Sequence, residues 1–153
     1  MTVPVPPCKI ITSFLDSGAG QSLIAAAGAF KQSSIRPCVV TIEGGSGNLT
    51  ITAIGTAVLV VVDNSGKEVL LELHQCLQSN GNHNLLSLSQ LLQHPAVTVT
   101  LTNEAPMIVV QGANTPAAQD FHIPLQVVDG MFVLPFEVLS ATDPRRCDLP
   151  SVS

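Results

Sequence analysis

A single carboxylate constrains the first third of this chain. Asp16 closes the apolar run that begins near Ile10, and no other acidic residue occurs before Glu43. A carboxylate in apolar surroundings is costly to bury unless it is hydrogen-bonded, paired or neutralised. Ser17-Gly18-Ala19-Gly20 follows at once, a run of small residues that turns easily. A strand ending in Asp at a glycine turn is either a common surface turn or a functional site. The rest of the chain decides between them.

Most of that rest reads as strand. Hydrophobic residues make up 46% of the 153 positions and charged residues 11%, so the chain folds rather than staying disordered. Val, Ile, Leu and Thr dominate, with five Phe and no Trp or Tyr, and β-branched residues favour strands. The 11 Gly and 11 Pro supply turns. The length suits one domain with its own core. The six basic residues are scattered apart from Arg145-Arg146, and the net charge is -5, which excludes the basic face that nucleic acid requires. No apolar run is long enough to cross a bilayer; the longest, Ala57 to Val62, is strand-sized. Cys8, Cys38, Cys76 and Cys147 are even in number, but a chain of this size needs no staples and shows no signal-peptide pattern. Reduced thiols and a cytoplasmic setting are the expectation.

Taken in order, residues 1–9 form a proline-rich extended leader, 10–137 the folded domain and 138–153 a polar tail. Lys9 to Leu15 is a buried strand, and Gln21 to Phe30 is ambiguous between helix and irregular chain. Pro37 to Ile42 and the alternating Leu49-Thr50-Ile51-Thr52-Ala53 flank Glu43-Gly44-Gly45-Ser46-Gly47-Asn48, which predicts a hairpin with a mobile tip. Val58 to Val62 continues as a buried strand. Asp63-Asn64-Ser65-Gly66 is a turn, and Lys67 to Leu73 returns. Leu85, Leu88 and Leu92 at helical spacing before Pro95 predict a short helix from Ser87 to Gln93, preceded by a buried extended pair. Val97 to Thr102, Pro106 to Gln111 and a hairpin of His122 to Val128 with Met131 to Phe136 around Asp129-Gly130 complete the strands. Pro124 places its arm on an edge. Glu68, Glu72, Glu104 and Glu137 read as solvated faces, and Arg145-Arg146 as part of the tail.

Phe14-Leu15-Asp16-Ser17-Gly18 meets the requirements of an aspartic protease half-site. That chemistry needs two carboxylates sharing a proton, one as base toward a bound water and one as acid toward the scissile carbonyl. The apolar pair anchors the strand, the hydroxyl can bond across the pair, and the glycine lets N–H groups approach. A glycine-rich hairpin further on suits a flap. Only one Asp-Ser-Gly occurs, so the second carboxylate must come from another copy, in a two-fold homodimer. Other chemistries fit less well. A trypsin-like serine site needs a Gly before the Asp, where Leu15 stands, and a longer chain. Gly18-Ala19-Gly20 matches no dinucleotide or P-loop pattern. His74, Cys76 and His83 are the only cluster with metal-ligand character, and they lack the four-ligand spacing of zinc. No metal and no cofactor are expected.

Four stretches resemble the protease of copia-type retrotransposons, a branch of the retropepsin-like aspartic proteases. They are Leu15-Asp16-Ser17-Gly18-Ala19, Glu43-Gly44-Gly45, Ile54-Gly55-Thr56-Ala57-Val58 and Asn84-Leu85-Leu86-Ser87-Leu88-Ser89-Gln90-Leu91. The last is the most specific, being similar to that family's Asn-Leu-Leu-Ser-Val-Ser-Gln-Leu. Val128 to Leu134 resembles the family's closing hairpin. The likeness implies an all-β, retropepsin-like acid-protease barrel protomer with one short helix, acting as a homodimer on a gag-pol polyprotein. It implies Asp16, Ser17 and Gly18 as catalytic turn, Gly44, Gly45, Ser46 and Gly47 as flap, and Leu85, Leu86 and Ser87 as the supporting segment. Two positions depart from the pattern: Gly20 replaces a Ser or Thr, and Leu88 stands where many retropepsins carry a dimer-bracing Arg. The alternative is an inactive domain of the same fold, kept as a folding or dimerisation module.

Overall fold

The structure is a computed structural model that describes residues 11–44, 47–79, 84–111, 120–139, 143–145 and 149–152. The leader, Gly45, Ser46, His83, Cys8 and Cys147 lie outside these. Strands take up 58% of the described residues beside one short α-helix, so the chain is all-β, in two sheets that do not close. Among the described residues no helix is long and apolar enough to cross a membrane.

The first half builds the larger sheet. β1 (Ile11–Asp16) and the two-residue β2 (Leu23–Ile24) precede two 3₁₀ turns. β3 (Arg36–Gly44) and β4 (Gly47–Val62) form the expected hairpin, with Gly44 opposite Gly47. β4 runs unbroken for 16 residues because its turn-forming residues come only at Asp63. β5 (Glu68–Gln78) returns against it, and β6 (Leu85–Ser87) leads straight into α1 (Leu88–Gln93). The ambiguous stretch after Gln21 is β2 and a 3₁₀ turn, not a helix; Leu23 and Ile24 pair with β5, which outweighs the helical preference of the alanines.

The second half adds β7 (Val97–Thr100), β8 (Met107–Val110) and β9 (Phe121–Pro124) as a three-stranded antiparallel sheet, then β10 (Gln126–Val128) and β11 (Met131–Phe136). The arm read as one strand from His122 to Val128 is therefore two. It changes sheets at Leu125, which is buried and bonds through its N–H to Pro106 O at 2.9 Å. Pro124 does lie on an edge strand, since β9 ends the smaller sheet. Asp129 (φ 51°) and Gly130 (φ 76°) turn the β10–β11 hairpin with both residues left-handed, as a two-residue type I′ turn requires. The larger sheet runs β10-β11-β1-β6-β2-β5-β4-β3, and β12 (Ser151–Val152) pairs with β5.

The smaller sheet covers the larger one. Val97, Ile108, Val110 and Ile123 pack with Leu59, Val61, Val69, Leu71, Leu134 and Phe136 in one buried cluster. Such aliphatic packing excludes water, and Cys38 and Cys76 within the described residues are free thiols. Cys76 sits in this core, and burial pushes its thiol up to about 12, which leaves it an inert apolar filler.

The C-terminal segment is less separate than a polar tail. Ser151 and Val152 extend β5 in parallel at Leu70 and Leu71, and Leu149 packs against Val58, Val60, Leu70 and Leu139. Arg145 bonds Glu68 at 2.6 Å, Asp143 at 3.0 Å and Glu137 at 3.3 Å. Glu68 and Glu137 are thus ion-paired, not merely solvated, because one guanidinium's donors reach three carboxylates. Lys31 likewise pairs with Glu72.

Asp63 holds the β4–β5 turn. Its Oδ1 accepts from Ser65 Oγ at 2.7 Å, Lys67 N at 2.9 Å and Ser65 N at 3.0 Å. The Ser65 hydroxyl first, then the backbone N–H groups and Lys67, keep its carboxyl below the ordinary range against the opposing effect of burial. A lowered folded-state value stabilises the fold above the unfolded carboxyl's range and loses that contribution as pH falls through the folded one. Asp63→Ala should lower stability by about 1 to 3 kcal/mol. The loss should be largest near neutrality and shrink below about pH 4, as read by urea unfolding across pH. A pH-independent loss would remove the carboxylate from this role.

Candidate active site

Asp16 lies where three strands meet. β1 is flanked by antiparallel β11, from Ile11 opposite Phe136 to Phe14 opposite Val133, and by parallel β6, from Phe14 opposite Leu85 to Asp16 opposite Ser87. Ser13, fully buried, donates through Oγ to Leu134 O at 2.9 Å. Phe14 N–H donates to Asn84 O at 2.9 Å. β1 is therefore held along both edges, and its last residue is half-buried at the sheet's end.

The carboxylate begins a tight turn, with Oδ1 accepting from Gly18 N–H at 2.8 Å. A Cβ built on Gly18 would stand 3.4 Å from that oxygen, an ordinary contact, so the N–H approach does not itself demand glycine. Ser17 is exposed next to it. Among the described residues no cation and no second carboxylate pairs with Asp16.

The turn is fastened from Asn84 to Gln90. Ser87 Oγ donates to Ala19 O at 2.6 Å and accepts from Gln90 N–H at 3.1 Å, so one hydroxyl both grips the turn and caps α1. Ser89 Oγ reaches the same Ala19 carbonyl at 3.3 Å. Ser87 N–H donates to Ser22 Oγ at 2.9 Å, and Gln90 Oε1 accepts from Ser22 N–H at 2.6 Å. Asn84 Oδ1 accepts from Ala25 N–H at 2.8 Å. Leu86 and Leu91 go into the core, and Leu85 is half-buried against Leu23 and Leu77.

Ser87, expected only as part of the supporting segment, lies opposite Asp16. Ser22, Asn84, Ser89 and Gln90 complete the clamp and were missed as site residues. Their signal was the polar residues interleaved with leucines from Asn84 to Leu91. Gly20, where a hydroxyl residue was expected, has nothing within 4 Å of an added Cβ and is not left-handed. Ser87 and Ser89 fix the turn from outside it.

A β-bulge supplies the far anchor. The β4–β5 register shifts between Gly55 and Ala57, and Gln75 adopts φ 53°. This turns the Gln75 carbonyl to accept from Gln21 Nε2 at 3.1 Å and Gln90 Nε2 at 3.2 Å, while Arg36 donates to the Gln75 side chain. Gly55 is needed here, since a Cβ would stand 3.1 Å from Ser34 Oγ and 3.3 Å from Ile35 Cα.

The β3–β4 hairpin projects outward. Thr41, Ile42, Glu43, Asn48 and Thr50 are exposed, and Ile51 is its first fully buried residue. Of the four residues expected in a flap, Gly44 and Gly47 are opposite each other in the hairpin register, and Gly45 and Ser46 lie outside the described residues.

Two clefts lie elsewhere: one of about 320 Å³ between β5 and α1, beside His74, Gln90 and His94, and one of about 330 Å³ beside Val60, Pro124 and Phe136. Neither includes Asp16. A site shared between two copies would not form a cleft in one. Among the described residues no group of His, Cys, Asp or Glu is arranged to hold a metal ion. No protein-family model, curated protein or solved structure gives a significant match to this chain.

Ser87→Ala should lower stability by about 1 to 2 kcal/mol, through loss of the cap and the Ala19 bond. Gly20→Ala should be neutral or stabilising by up to about 1 kcal/mol, because it only restricts the unfolded chain. Denaturant midpoints measure both. The reverse order would contradict the clamp.

Proposed function

We propose that this chain is a retropepsin-like aspartic endopeptidase that works as a two-fold homodimer and processes a retrotransposon gag-pol polyprotein. The observation that carries this reading is the placement of Asp16. It ends a strand paired on both sides, accepts Gly18 N–H, and is held by a clamp built from Asn84 to Gln90. A carboxylate that must meet a second one at a symmetry axis needs such rigid support. The exposed β3–β4 hairpin supports the flap assignment.

In the dimer, each copy supplies one Asp16 and the pair holds a single proton. The ionised carboxylate takes a proton from the bound water as its oxygen attacks the scissile carbonyl carbon. The protonated carboxyl gives its proton to the carbonyl oxygen. Collapse of the tetrahedral species breaks the C–N bond as the amine gains a proton from the dyad. The peptide lies extended under the two flaps, paired through its backbone. Gly45 and Ser46 belong to the flap tip in this scheme, and Ser17 bonds across the dyad.

The second reading is an inactive domain of the same fold, dimeric or monomeric, that serves as a folding or dimerisation module. The Gly18 bond to Asp16 also suits a carboxylate capped by its own turn, and Leu88 brings no dimer-bracing cation.

Asp16→Asn separates the two. It should abolish peptide cleavage, more than about 1,000-fold, with an unchanged thermal midpoint. Activity should peak on the acidic side of neutrality, because two carboxylates in contact resist ionising together. It should also vanish on dilution below the dimer constant. Cleavage by Asp16→Asn at the wild-type rate ends the endopeptidase reading, and a dimer inert at every pH favours the module.

A further inference from the structure

Two strand registers, joined by extending a third past its last pair, bring four residues to one level of the sheet. Ser87 is opposite Asp16 across the parallel β6–β1 pair, and Val128 is opposite Met131 in the β10–β11 hairpin. The β1–β11 pairs run from Ile11 opposite Phe136 to Phe14 opposite Val133, where the pairing ends; the same offset carried two residues past the last pair brings Met131 to the level of Asp16. The row is Val128, Met131, Asp16, Ser87, on four adjacent strands. Residues directly opposite each other in a sheet share a face. Whatever lies over the Asp16 carboxylate therefore lies over its neighbours.

Those neighbours differ. Ser87 is fully buried and its hydroxyl is spent on Ala19 and Gln90. Met131 and Val128 are 47% and 45% exposed, large apolar side chains facing solvent. The surface beside Asp16 is open on the β11 side and closed on the β6 side.

We propose that Met131 and Val128 form the wall that receives the apolar side chains of the substrate, and that they set its specificity. This rests on the endopeptidase reading above. Strands lie ~4.8 Å apart and an extended peptide rises ~3.3 Å per residue. A peptide cut over Asp16 then places a residue flanking the cut over Met131. The next residue on the same side of the strand falls two positions on, over Val128. An unbranched methionine adapts to several shapes, so the flanking position accepts Leu, Met or Phe and rejects charge. The occupant is a peptide and not the second copy, because the carboxylate on this face must stay open to the scissile bond.

Full-length wild type, Met131→Glu, Met131→Leu and Val128→Lys are compared on one peptide scaffold. The scaffold is varied among Leu, Met, Phe, Lys and Glu at the residues flanking the cut and at those two positions further out. Met131→Glu should lower kcat/KM for Leu, Met and Phe by about 10- to 100-fold and raise it for Lys, mainly through KM. Met131→Leu should keep the wild-type order. Val128→Lys should shift the preference at the outer position instead, toward Glu. Unchanged preference in both charged variants overturns the proposal. So does a raised dimer dissociation constant with preference unchanged, which would assign the patch to the second copy. If wild type cleaves no peptide and matches Asp16→Asn, the endopeptidase reading itself fails and this one falls with it.

Discussion

The grip of the Asn84–Gln90 segment on the Asp16 turn is the interaction on which the rest of the structure depends. Ser13, Ser22, Asn84 and Ser87 are all buried polar residues near the end of β1. Each would cost about 1 to 3 kcal/mol if left without a partner. None is: among the described residues no buried side-chain nitrogen or oxygen lacks a hydrogen bond. A fully satisfied polar network tolerates few rearrangements, so it fixes one geometry for the turn. Leu86 and Leu91, interleaved with these polar groups, anchor the same segment in the apolar core. One stretch thereby ties the carboxylate to the core.

How much of this was legible follows from the range of each interaction. Period-2 runs, the Asp63 and Asp129 turns and the short helix are local, and the structure carries them close to where the sequence put them, with Ser87 capping the helix instead of beginning it. The features that escaped are long-range. The Gln75 bulge is produced by register between β4 and β5 and by the approach of Ser34 to Gly55, 21 residues earlier in the chain. Arg145 is read as tail until its partner Glu68, 77 residues away, is seen to reach it. The same holds for the clamp. Ser89 and Gln90 look like the solvent side of a short helix, and only the fold brings Ala19 and Ser22 against them.

Asp16 and the β3–β4 hairpin are held differently. β1 is paired with β6 and β11 and its turn is gripped by Ser87, whereas beyond Ile51 the hairpin keeps only Val40 and Leu49 partly packed and exposes Thr41, Ile42, Glu43, Asn48 and Thr50. Under the proposed function, fixed groups at the reacting bond and a separate cover are what a hydrolytic site needs.

Sheet geometry further restricts how two copies can share a proton. Asp16 is on the third strand from the β10 edge. If two copies joined by pairing β10 with β10, five strand spacings of ~4.8 Å would separate the carboxylates by ~24 Å. Pairing through β3, at the far edge, would separate them further. Neither arrangement brings two carboxylates into contact. A dyad forms only if the strand ends meet, with the Asp16 turns facing each other and the sheets running away from the axis. In that arrangement the β10 edge is left unpaired. Its run of Gln126, Val127 and Val128, exposed on every residue, is an open strand edge of the kind on which other strands pair.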